Sequence, residues 1–573
     1  MSVTITIDGR TAAAEPGGPS LFELAESLGV RVPTSCQKNG KCKECIVEVT
    51  AGADALTPPT PPESHLTGSF RLSCQARVAA AGGAVVCHTM RRGKMRVERH
   101  AYGLPGGARG LDPAVTRDGD RVLLDGEEIA RAAGPLHGLA MDLGTTTVVL
   151  RLFDLETGEQ IADASFENPQ RFGGSDVMSR IDYDTRQGKR VLMRTLAGYL
   201  AHAIEAMPVD PQTIYELVVV GNATMRDLFF RQSVYTIGQN PYRSITEIEM
   251  AEGKRATTSL ATTGRRALLP IHPKARVWGA PIVSGHVGAD AAACMLAVDL
   301  AHEDRLVCVM DIGTNTELIL GNRTRVLAAS CPAGPAFEGG AIACGMPGLD
   351  GAVERVSLGA DGTVSLGVIG DGEAQGICGS GLIDLLSELL RTGRMNELGR
   401  FEDGERVDLA PGVYFTEADV NELAQAKGAN VAGLQVVFGE YGVSFDDVDV
   451  FYLAGGFGRH LSLDAARRIG LVPDLPAEKV VQVGNAAIEG ACIALLSMTK
   501  RRELEDLVRR VEHCRLETHP SFFDFFVDGC QFRRLEAFHG SRGDAANAEN
   551  AENADMNGPF SAYSASPRET ERP

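Results

Sequence analysis

Four cysteines near the N-terminus have a spacing that suits iron–sulfur chemistry. Cys36, Cys42 and Cys45 follow the pattern C-x5-C-x2-C, and Cys74 comes after 28 intervening residues. An iron–sulfur rhomb needs four thiolate ligands, of which three can come from one tight loop and the fourth from a distant strand. The loop contains Gly40 and small or charged residues, so its backbone N–H groups can turn toward the sulfur atoms of a negative cluster. These residues therefore favour an iron–sulfur centre.

The alternative for the same four cysteines is a structural zinc site. Zinc knuckles usually offer two C-x2-C pairs, and Cys74 has no such neighbour. The spacing resembles the plant-type [2Fe–2S] pattern, with five residues rather than four in the first gap, and such clusters have potentials of roughly −400 mV. The resemblance implies a low-potential electron carrier. Cys87, at the end of AVVC, is interpreted as a core cysteine.

Two segments of the form Asp-x-Gly-Thr are the second set of residues that could do chemistry. They begin at Asp142 and Asp311, and each lies between two hydrophobic strands. Glycine lets the backbone approach phosphate oxygens, to which threonine hydroxyl and backbone N–H groups can donate. The aspartate at the strand end can hold Mg²⁺ through water or orient an attacking water molecule. Two such hairpins facing each other would clamp a triphosphate, and we predict that both aspartates are catalytic.

A pair of glycines after another apolar strand is the third element of the predicted nucleotide site. Gly455 and Gly456 follow VFYL in the motif LAGGFG, where bare backbone would admit an adenine and a ribose. Each of the three elements alone is common in unrelated sequences. Together, in the order DLGTTT, DIGTNT and LAGGFG, they predict an ATP site. No G-x-x-x-x-G-K-[ST] motif is present, which excludes a P-loop enzyme.

Three further polar residues lie in motifs near these elements. Asp176 could position Mg²⁺ or water, or act as a helix N-terminal carboxylate. Glu338, in AGPAFEGG, could contact a nucleotide or a partner, or form part of a turn. Asn222 is predicted to cap the helix that follows it.

The cysteine loop needs a small scaffold of strands and a helix. Residues 3–9 alternate as in a strand, 21–28 have helical spacing, and 46–49 read as a strand again, which predicts a small α+β domain over residues 1–93. Residues 94–135 are rich in Gly and Arg and are predicted to be a linker.

From residue 136 to 540 apolar strands alternate with helical stretches, which predicts an α/β domain. We expect helices near residues 189–207, 287–298, 380–393, 417–428 and 484–498. The repeat of DLGTTT as DIGTNT suggests a duplicated domain. Residues 541–573 consist mainly of Ala, Asn, Glu, Ser and Pro and are predicted to be a disordered tail.

Composition excludes several classes of function. The formal net charge of −19 argues against binding to nucleic acid or to anionic membranes. The chain has neither a signal-peptide pattern nor an 18-residue apolar stretch, so we expect a cytoplasmic protein. Thirteen cysteines in such a chain indicate metal or redox chemistry rather than a disulfide framework.

Residues 138–538 resemble the superfamily of acetate kinase, sugar kinases, actin and chaperone ATPases, abbreviated ASKHA. Within it the chain resembles the reductive activators of corrinoid-dependent enzymes, and the four-cysteine module belongs to the same pattern. The resemblance rests on ordered motifs: DLGTTTVV, NPQRFGGSDVMSRI, GNATM, NPY, GADAAA, DIGTNTELIL, AGPAFEGG, ICGSGLIDLL, LAGGFG and VGNAAIEGA.

The resemblance implies a fold, a reaction and a set of site residues. The fold would be an α+β ferredoxin domain of the β-grasp type, followed by an α/β actin-like ATPase with duplicated ribonuclease-H-like lobes. The reaction would be ATP-dependent transfer of one electron from a [2Fe–2S] cluster to Co(II), which restores Co(I) in a corrinoid protein of a methyltransferase system. The nucleotide contacts carried over by motif, with Mg²⁺ as a further cofactor, are Asp142, Gly144, Thr145, Thr146, Asp311, Gly313, Thr314, Gly455 and Gly456.

The same resemblance implies an external low-potential electron donor and a possible homodimer. No D-x-H-x-x-G motif is present, so the corrinoid must come from a partner. Family members often have glycine where this chain has Thr316, whose side chain is expected to narrow the approach to the phosphates. Two other functions stay open at this point: a small-molecule kinase with an appended ferredoxin, and a chaperone-like ATPase whose cluster senses redox state.

Overall fold

The computed structural model describes residues 2–90, 103–105, 110–188, 190–359, 362–370, 372–456 and 461–535. The predicted disordered tail lies outside these ranges, as do Phe457 and Gly458 of LAGGFG. Within the described ranges, no helix combines the length and the apolar character needed to cross a membrane.

The N-terminal module is a five-stranded sheet with one helix. Its elements are β1 (Val3–Ile7), β2 (Arg10–Ala14), α1 (Leu21–Ser27), β3 (Ile46–Ala51), β4 (Phe70–Leu72) and β5 (Ala84–Thr89). The strand order is β2-β1-β5-β3-β4, with only β1 and β5 parallel. Asp8 and Gly9, both at positive φ, form the first tight turn, and a Ser20–Glu23 capping box starts α1. The cysteine loop therefore connects α1 to β3.

The linker prediction for residues 94–135 is wrong for its second half. Residues there form an antiparallel sheet of β6 (Val115–Asp118), β7 (Arg121–Leu124) and β8 (Glu127–Arg131). The two turns contain Gly119 and Gly126 at positive φ, each after an aspartate, and Asp-Gly between apolar runs is a strong hairpin signal.

The first lobe of the large domain is a six-stranded mixed sheet with helices, in the order β11-β10-β9-β12-β14-β13. Its elements are β9 (His137–Leu143), β10 (Thr147–Asp154), β11 (Gln160–Glu167), α2 (Val177–Gln187), α3 (Val191–Glu205), β12 (Ile214–Val220), α4 (Ala223–Phe229), α5 (Ile245–Ala251), β13 (Leu260–Thr263), α6 (Gly264–Ala267), β14 (Arg276–Gly279) and α7 (Ala289–Ala297).

The second lobe repeats this arrangement in a sheet of order β24-β23-β15-β16-β17-β25 and adds two small sheets. Its elements, together with the last helices of the chain, are β15 (Val307–Ile312), β16 (Thr316–Gly321), β17 (Val326–Cys331), β18 (Ala352–Leu358), β19 (Val364–Val368), β20 (Gly376–Ile377), α8 (Gly379–Arg391), β21 (Arg406–Ala410), β22 (Val413–Thr416), α9 (Glu417–Tyr441), β23 (Val450–Ala454), α10 (Leu463–Arg468), β24 (Val480–Gly484), α11 (Ala486–Leu496), α12 (Met498–Val508), β25 (Glu512–His513) and α13 (Phe522–Gly529).

The duplication of the two lobes extends to the register in which corresponding strands pair. Asp142 pairs with Val220 of the parallel strand β12, and Asp311 pairs with Ala454 of β23. A glycine follows each partner strand, and a Cβ added at Gly221 or Gly455 would lie 2.4 or 2.2 Å from a carbonyl oxygen of the neighbouring aspartate-bearing strand. These glycines let the strand ends approach closely. The predicted fold class, a ferredoxin domain followed by duplicated actin-like lobes, is confirmed.

Helix α11 belongs to the first lobe although it lies late in the chain. It packs against β9, β12 and α7, and its side chains share one apolar core with the ferredoxin module, the first lobe and one face of the second-lobe sheet, while the rest of the second lobe has a separate core. The helices α7 and α11 meet so closely that a Cβ added at Gly490 would lie 2.0 Å from the carbonyl oxygen of Ala293.

Replacement of Gly490 by alanine is expected to lower the free energy of unfolding by about 1–3 kcal/mol, because the two helices must separate to admit the methyl group. Gly134→Ala is the matched control, since nothing lies within 4 Å of its added Cβ, and it should change stability by less than about 0.5 kcal/mol. Urea denaturation measures both, and equal effects would contradict the packing argument.

A buried lysine on α9 predicts a pH dependence. The Lys427 ammonium group donates to the carbonyl oxygen of Gln531 at 2.8 Å, and burial lowers its pKa from 10.5 to about 7. Between those pH values the unfolded chain binds more protons than the folded one, so stability rises with pH over this window. The stability gain from Lys427→Met, measured by urea denaturation, should therefore be larger at pH 7 than at pH 10. A gain independent of pH would show that Lys427 titrates normally.

Candidate functional site

The two predicted phosphate loops open onto one cavity of about 540 Å³. Residues 144–146 join β9 to β10, and residues 313–315 join β15 to β16. All nine residues predicted for catalysis and nucleotide contact line this cavity: Asp142, Gly144, Thr145, Thr146, Asp311, Gly313, Thr314, Gly455 and Gly456. The volume lies within the usual range of small-molecule sites, roughly 300–1,000 Å³.

Side-chain hydrogen bonds join the two loops across the cavity. The hydroxyl oxygens of Thr146 and Thr314 lie 3.1 Å apart. Thr146 donates to Oε2 of Glu338 at 2.8 Å, and Thr314 donates to the same oxygen. Glu338 ends the short 3-10 helix Pro335–Glu338, and burial raises the pKa of its carboxyl group. Of the roles considered for Glu338, the geometry supports a contact at this cavity rather than a turn role alone.

Five other carboxyl groups line the same cavity: Asp142, Asp290, Asp311, Glu317 and Glu354. Desolvation by the surrounding protein raises the pKa of Asp142 and Asp290 to about 7 and of Asp311 to about 6, and it also raises the pKa of Glu317. Asp311 and Glu317 are directly opposed on β15 and β16. Desolvated carboxyl oxygens that face one cavity can hold a hard divalent cation such as Mg²⁺, directly or through water.

Asp290 and Glu317 were missed as functional residues, as were three asparagines that support the loops. The Asn222 side chain caps α4, as predicted, by accepting from the N–H of Met225, and its amide also donates to the hydroxyl of Thr145 at 2.9 Å. Asn485 caps α11 in the same way and donates to Asp142 at 2.9 Å. A sequence signal existed for Asn222 and Asn485: both lie in the tetrapeptide VGNA, which occurs at residues 220–223 and again at residues 483–486.

The third asparagine, Asn168, follows β11 and is fully buried. Its amide donates to the carbonyl oxygen of Gly144 at 2.8 Å, and its backbone N–H donates to that of Thr146 at 2.6 Å. Both bonds hold the backbone of the first phosphate loop.

Two residues considered from sequence lie outside the cavity lining. Asp176 caps α2, where its carboxylate accepts from the N–H and the hydroxyl of Ser179, so it is a helix N-terminal carboxylate. Thr316 is fully buried at the start of β16, opposite Ile312 and Cys331. The expectation that Thr316 narrows the phosphate approach is therefore wrong: adjacent strand residues face opposite sides, and it is Glu317 that lines the cavity.

The four predicted cluster cysteines come together as two hydrogen-bonded pairs, Cys36 with Cys42 and Cys45 with Cys74. The bond from the Cys45 thiol lowers the pKa of Cys74 to about 6 and raises that of Cys45. Two thiol pairs match the two irons of a [2Fe–2S] rhomb, each of which takes two protein ligands.

The backbone around these thiols also suits a negative cluster. N–H groups of Asn39, Lys41 and Cys42 point to the sulfur of Cys36, and the N–H of Gly40 points to Cys74. Left-handed residues in the loop turn these groups inward: Gln37, Lys38, Gly40 and Lys43. Such a nest of N–H groups stabilises anionic sulfur, so the residues present fit an iron–sulfur cluster.

The cysteine loop rests on the first lobe. Glu44, between two of the cluster cysteines, forms an ion pair with Arg194 of α3. The hydroxyl of Ser35 donates to Glu44 at 2.9 Å and accepts from Arg194 at 3.1 Å. The loop is therefore held to the same lobe that carries the first phosphate loop.

Three family models match successive parts of the chain. Residues 3–79 match the 2Fe-2S iron–sulfur cluster binding domain, residues 137–303 match the RACo middle region, and residues 305–540 match the C-terminal domain of RACo, the ASKHA domain.

Individual proteins are similar over most of the chain. The corrinoid activation enzyme RamQ of Eubacterium limosum is 31% identical over 431 residues, which cover 70% of each chain. The Co(II) methylated amine-specific corrinoid protein reductase of Methanosarcina barkeri is 27% identical over 420 residues, 68% of this chain and 76% of the relative. The solved structure of a reductive activator for corrinoid,iron-sulfur protein superposes with a TM-score of 0.68 at 26% identity, covering 93% of this chain and 98% of that one.

Replacement of a paired thiol should abolish cluster binding. Cys74→Ser is expected to lose the visible absorption and most of the iron after anaerobic reconstitution, where the unmodified chain should hold about two iron atoms. Cys87→Ser is the control, because Cys87 is a buried cysteine of the same module whose thiol donates to the carbonyl oxygen of Thr6. Full iron content in Cys74→Ser, or its loss in Cys87→Ser, would count against this set of ligands.

Proposed function

Since this chain belongs to the RACo family of corrinoid-activating enzymes, we propose that it reduces the Co(II) corrinoid of a partner protein to Co(I) in a reaction driven by ATP. The observation that carries this proposal is the union, in one chain, of a four-thiol ferredoxin module and a nucleotide cavity clamped by two phosphate loops. A kinase or a redox-sensing chaperone, the alternatives considered from sequence, is not favoured by the relatives, which are corrinoid activators.

We assign ATP to the cavity between the lobes. The hydroxyl and N–H groups of Thr145, Thr146 and Thr314 donate to the phosphate oxygens, and the glycines of both loops let the backbone approach. Asp142 and Asp311 hold Mg²⁺ through water or orient the water that attacks the terminal phosphorus. Gly455 and Gly456 receive the adenosine.

We assign a cluster to the thiol pairs Cys36–Cys42 and Cys45–Cys74. When bound there, a [2Fe–2S] cluster accepts and releases one electron at a time. The inward N–H groups stabilise the negative charge on the sulfur atoms, and the Glu44–Arg194 ion pair holds the cysteine loop against the first lobe.

The reaction balances with one external donor. One electron leaves a low-potential reductant and one electron reaches Co(II), which becomes Co(I), while ATP and water give ADP and phosphate. The chain has no D-x-H-x-x-G motif, so the corrinoid arrives on the partner. ATP can favour Co(I) only as far as the chain binds the partner's two oxidation states with different affinity in its two nucleotide states.

Further parts of this proposal concern organisation. The ferredoxin domain spans residues 1–93, the connecting region that includes the β6–β8 sheet spans 94–135, and the ATPase domain spans 136–540. We further propose that the chain works in the cytoplasm, that it associates with neither nucleic acid nor membranes, and that it is able to form a homodimer.

An anaerobic assay tests the function. Reconstituted protein, a low-potential reductant and a Co(II) corrinoid protein should give the Co(I) absorbance with ATP and much less without it. Asp311→Asn should lower phosphate release and Co(I) formation by about 10²–10⁴-fold. Asp176→Asn is the control, because Asp176 caps α2 and lies outside the cavity lining. Rates independent of ATP, or no Co(I) with any corrinoid protein, would defeat the proposal.

A further inference from the structure

Residues 168–171, here called the bridging segment, connect the first phosphate loop to the ferredoxin module. At one end, Asn168 holds the carbonyl oxygens of Gly144 and Thr146. These two bonds reach the backbone of the loop, so the position of Asn168 depends on the position of the loop itself.

At its other end the bridging segment contacts the strands that carry cluster ligands. Arg171 forms an ion pair with Glu48 of β3, and its guanidinium group lies over the ring of Phe70 of β4, 5.6 Å from the ring centroid. Glu48 and Phe70 are directly opposed in the ferredoxin sheet. Strand β3 begins directly after Cys45, and β4 ends two residues before Cys74.

The segment between these ends is short and stiff. It enters the 3-10 helix Pro169–Gly173, which starts with a proline and is capped by Asn168. The Gln170 side chain is fully buried, and within the described residues neither atom of its amide group has a hydrogen-bond partner.

We propose that the bridging segment couples occupancy of the nucleotide cavity to the redox state of the ferredoxin module, an inference that rests on the proposed function. A nucleotide that moves the first phosphate loop moves Asn168, and the helical turn transmits the shift to Arg171. An electron added to the ferredoxin module adds negative charge on the Glu48 side of the ion pair. The added charge increases the attraction between that module and the guanidinium group of Arg171. Coupling between two sites is reciprocal, so each event alters the other to the same extent.

The test compares reduction with nucleotide binding in the full chain. The midpoint potential is measured by redox titration followed by electron paramagnetic resonance, with and without a β,γ-imido analogue of ATP. Affinity for the analogue is measured for oxidised and reduced protein. We expect a difference of about fivefold or more in affinity, which equals about 41 mV for a one-electron couple.

Two variants and a control separate coupling from simple docking. Arg171→Met and Glu48→Gln should each reduce the difference in analogue affinity between oxidised and reduced protein to less than about twofold. The cluster and the nucleotide should still bind to both variants. Arg31→Met removes another ion pair between ferredoxin and first lobe, the exposed Arg31–Glu205 contact, and should keep the full difference, as exposed pairs contribute little. If Arg171→Met does not fold, Glu48→Gln alone is compared with Arg31→Met.

Three results would overturn the inference. In the unmodified chain, analogue affinity and midpoint potential would not depend on each other; or both bridging variants would keep the full difference in affinity; or Arg31→Met would lose as much of that difference as the bridging variants do. Failure of the proposed function looks different, since the unmodified chain would then bind no nucleotide, hold no cluster or form no Co(I).

Discussion

Hydrogen bonds among Thr146, Thr314 and Glu338 hold the two lobes together inside the cavity that we assign to ATP. Both hydroxyl groups donate to the same carboxylate oxygen, and burial raises the pKa of that carboxyl group. A phosphate group that enters between the loops must replace these bonds with its own. Binding of a nucleotide and the relative position of the lobes are therefore linked by the same few atoms.

The duplicated hairpins impose a second constraint on this cavity. Two copies of one strand–loop–strand unit bring two aspartates into one desolvated space; the second copy also adds Glu317, and helix α7 adds Asp290. Burial away from water raises the pKa values of these carboxyl groups, and repulsion from neighbouring carboxylates adds to the rise for Asp142, Asp290 and Glu317. The structure relieves part of this strain with neutral donors, since Asn485 donates to Asp142 and the thiol of Cys294 donates to Asp311 at 3.3 Å.

Local motifs carried most of the sequence-based prediction. The loops at Asp142 and Asp311 were predictable because the chemistry of a phosphate loop is contained in four consecutive residues. Glu317 was not, because its role depends on its register opposite Asp311 across the hairpin. The same alternation places Thr316 on the opposite face of the strand, which reverses the expectation for that residue. The β6–β8 sheet was missed although its Asp-Gly turns are visible, because surrounding Gly and Arg residues suggested a linker.

Helix α11 has a consequence for how the protein is made. It completes the apolar core of the first lobe, and Asn485 at its start reaches Asp142, more than 340 positions earlier. A nascent chain emerging from the ribosome thus exposes an unfinished first lobe until about residue 508, the end of α12, has left the exit tunnel. Domains that fold as units during synthesis usually finish in order from the N-terminus. Most of the second lobe is synthesised before α11, but its strand β25 and the helix α13 that packs on α9 come after it, so each lobe waits for a late segment of the chain before its core is complete.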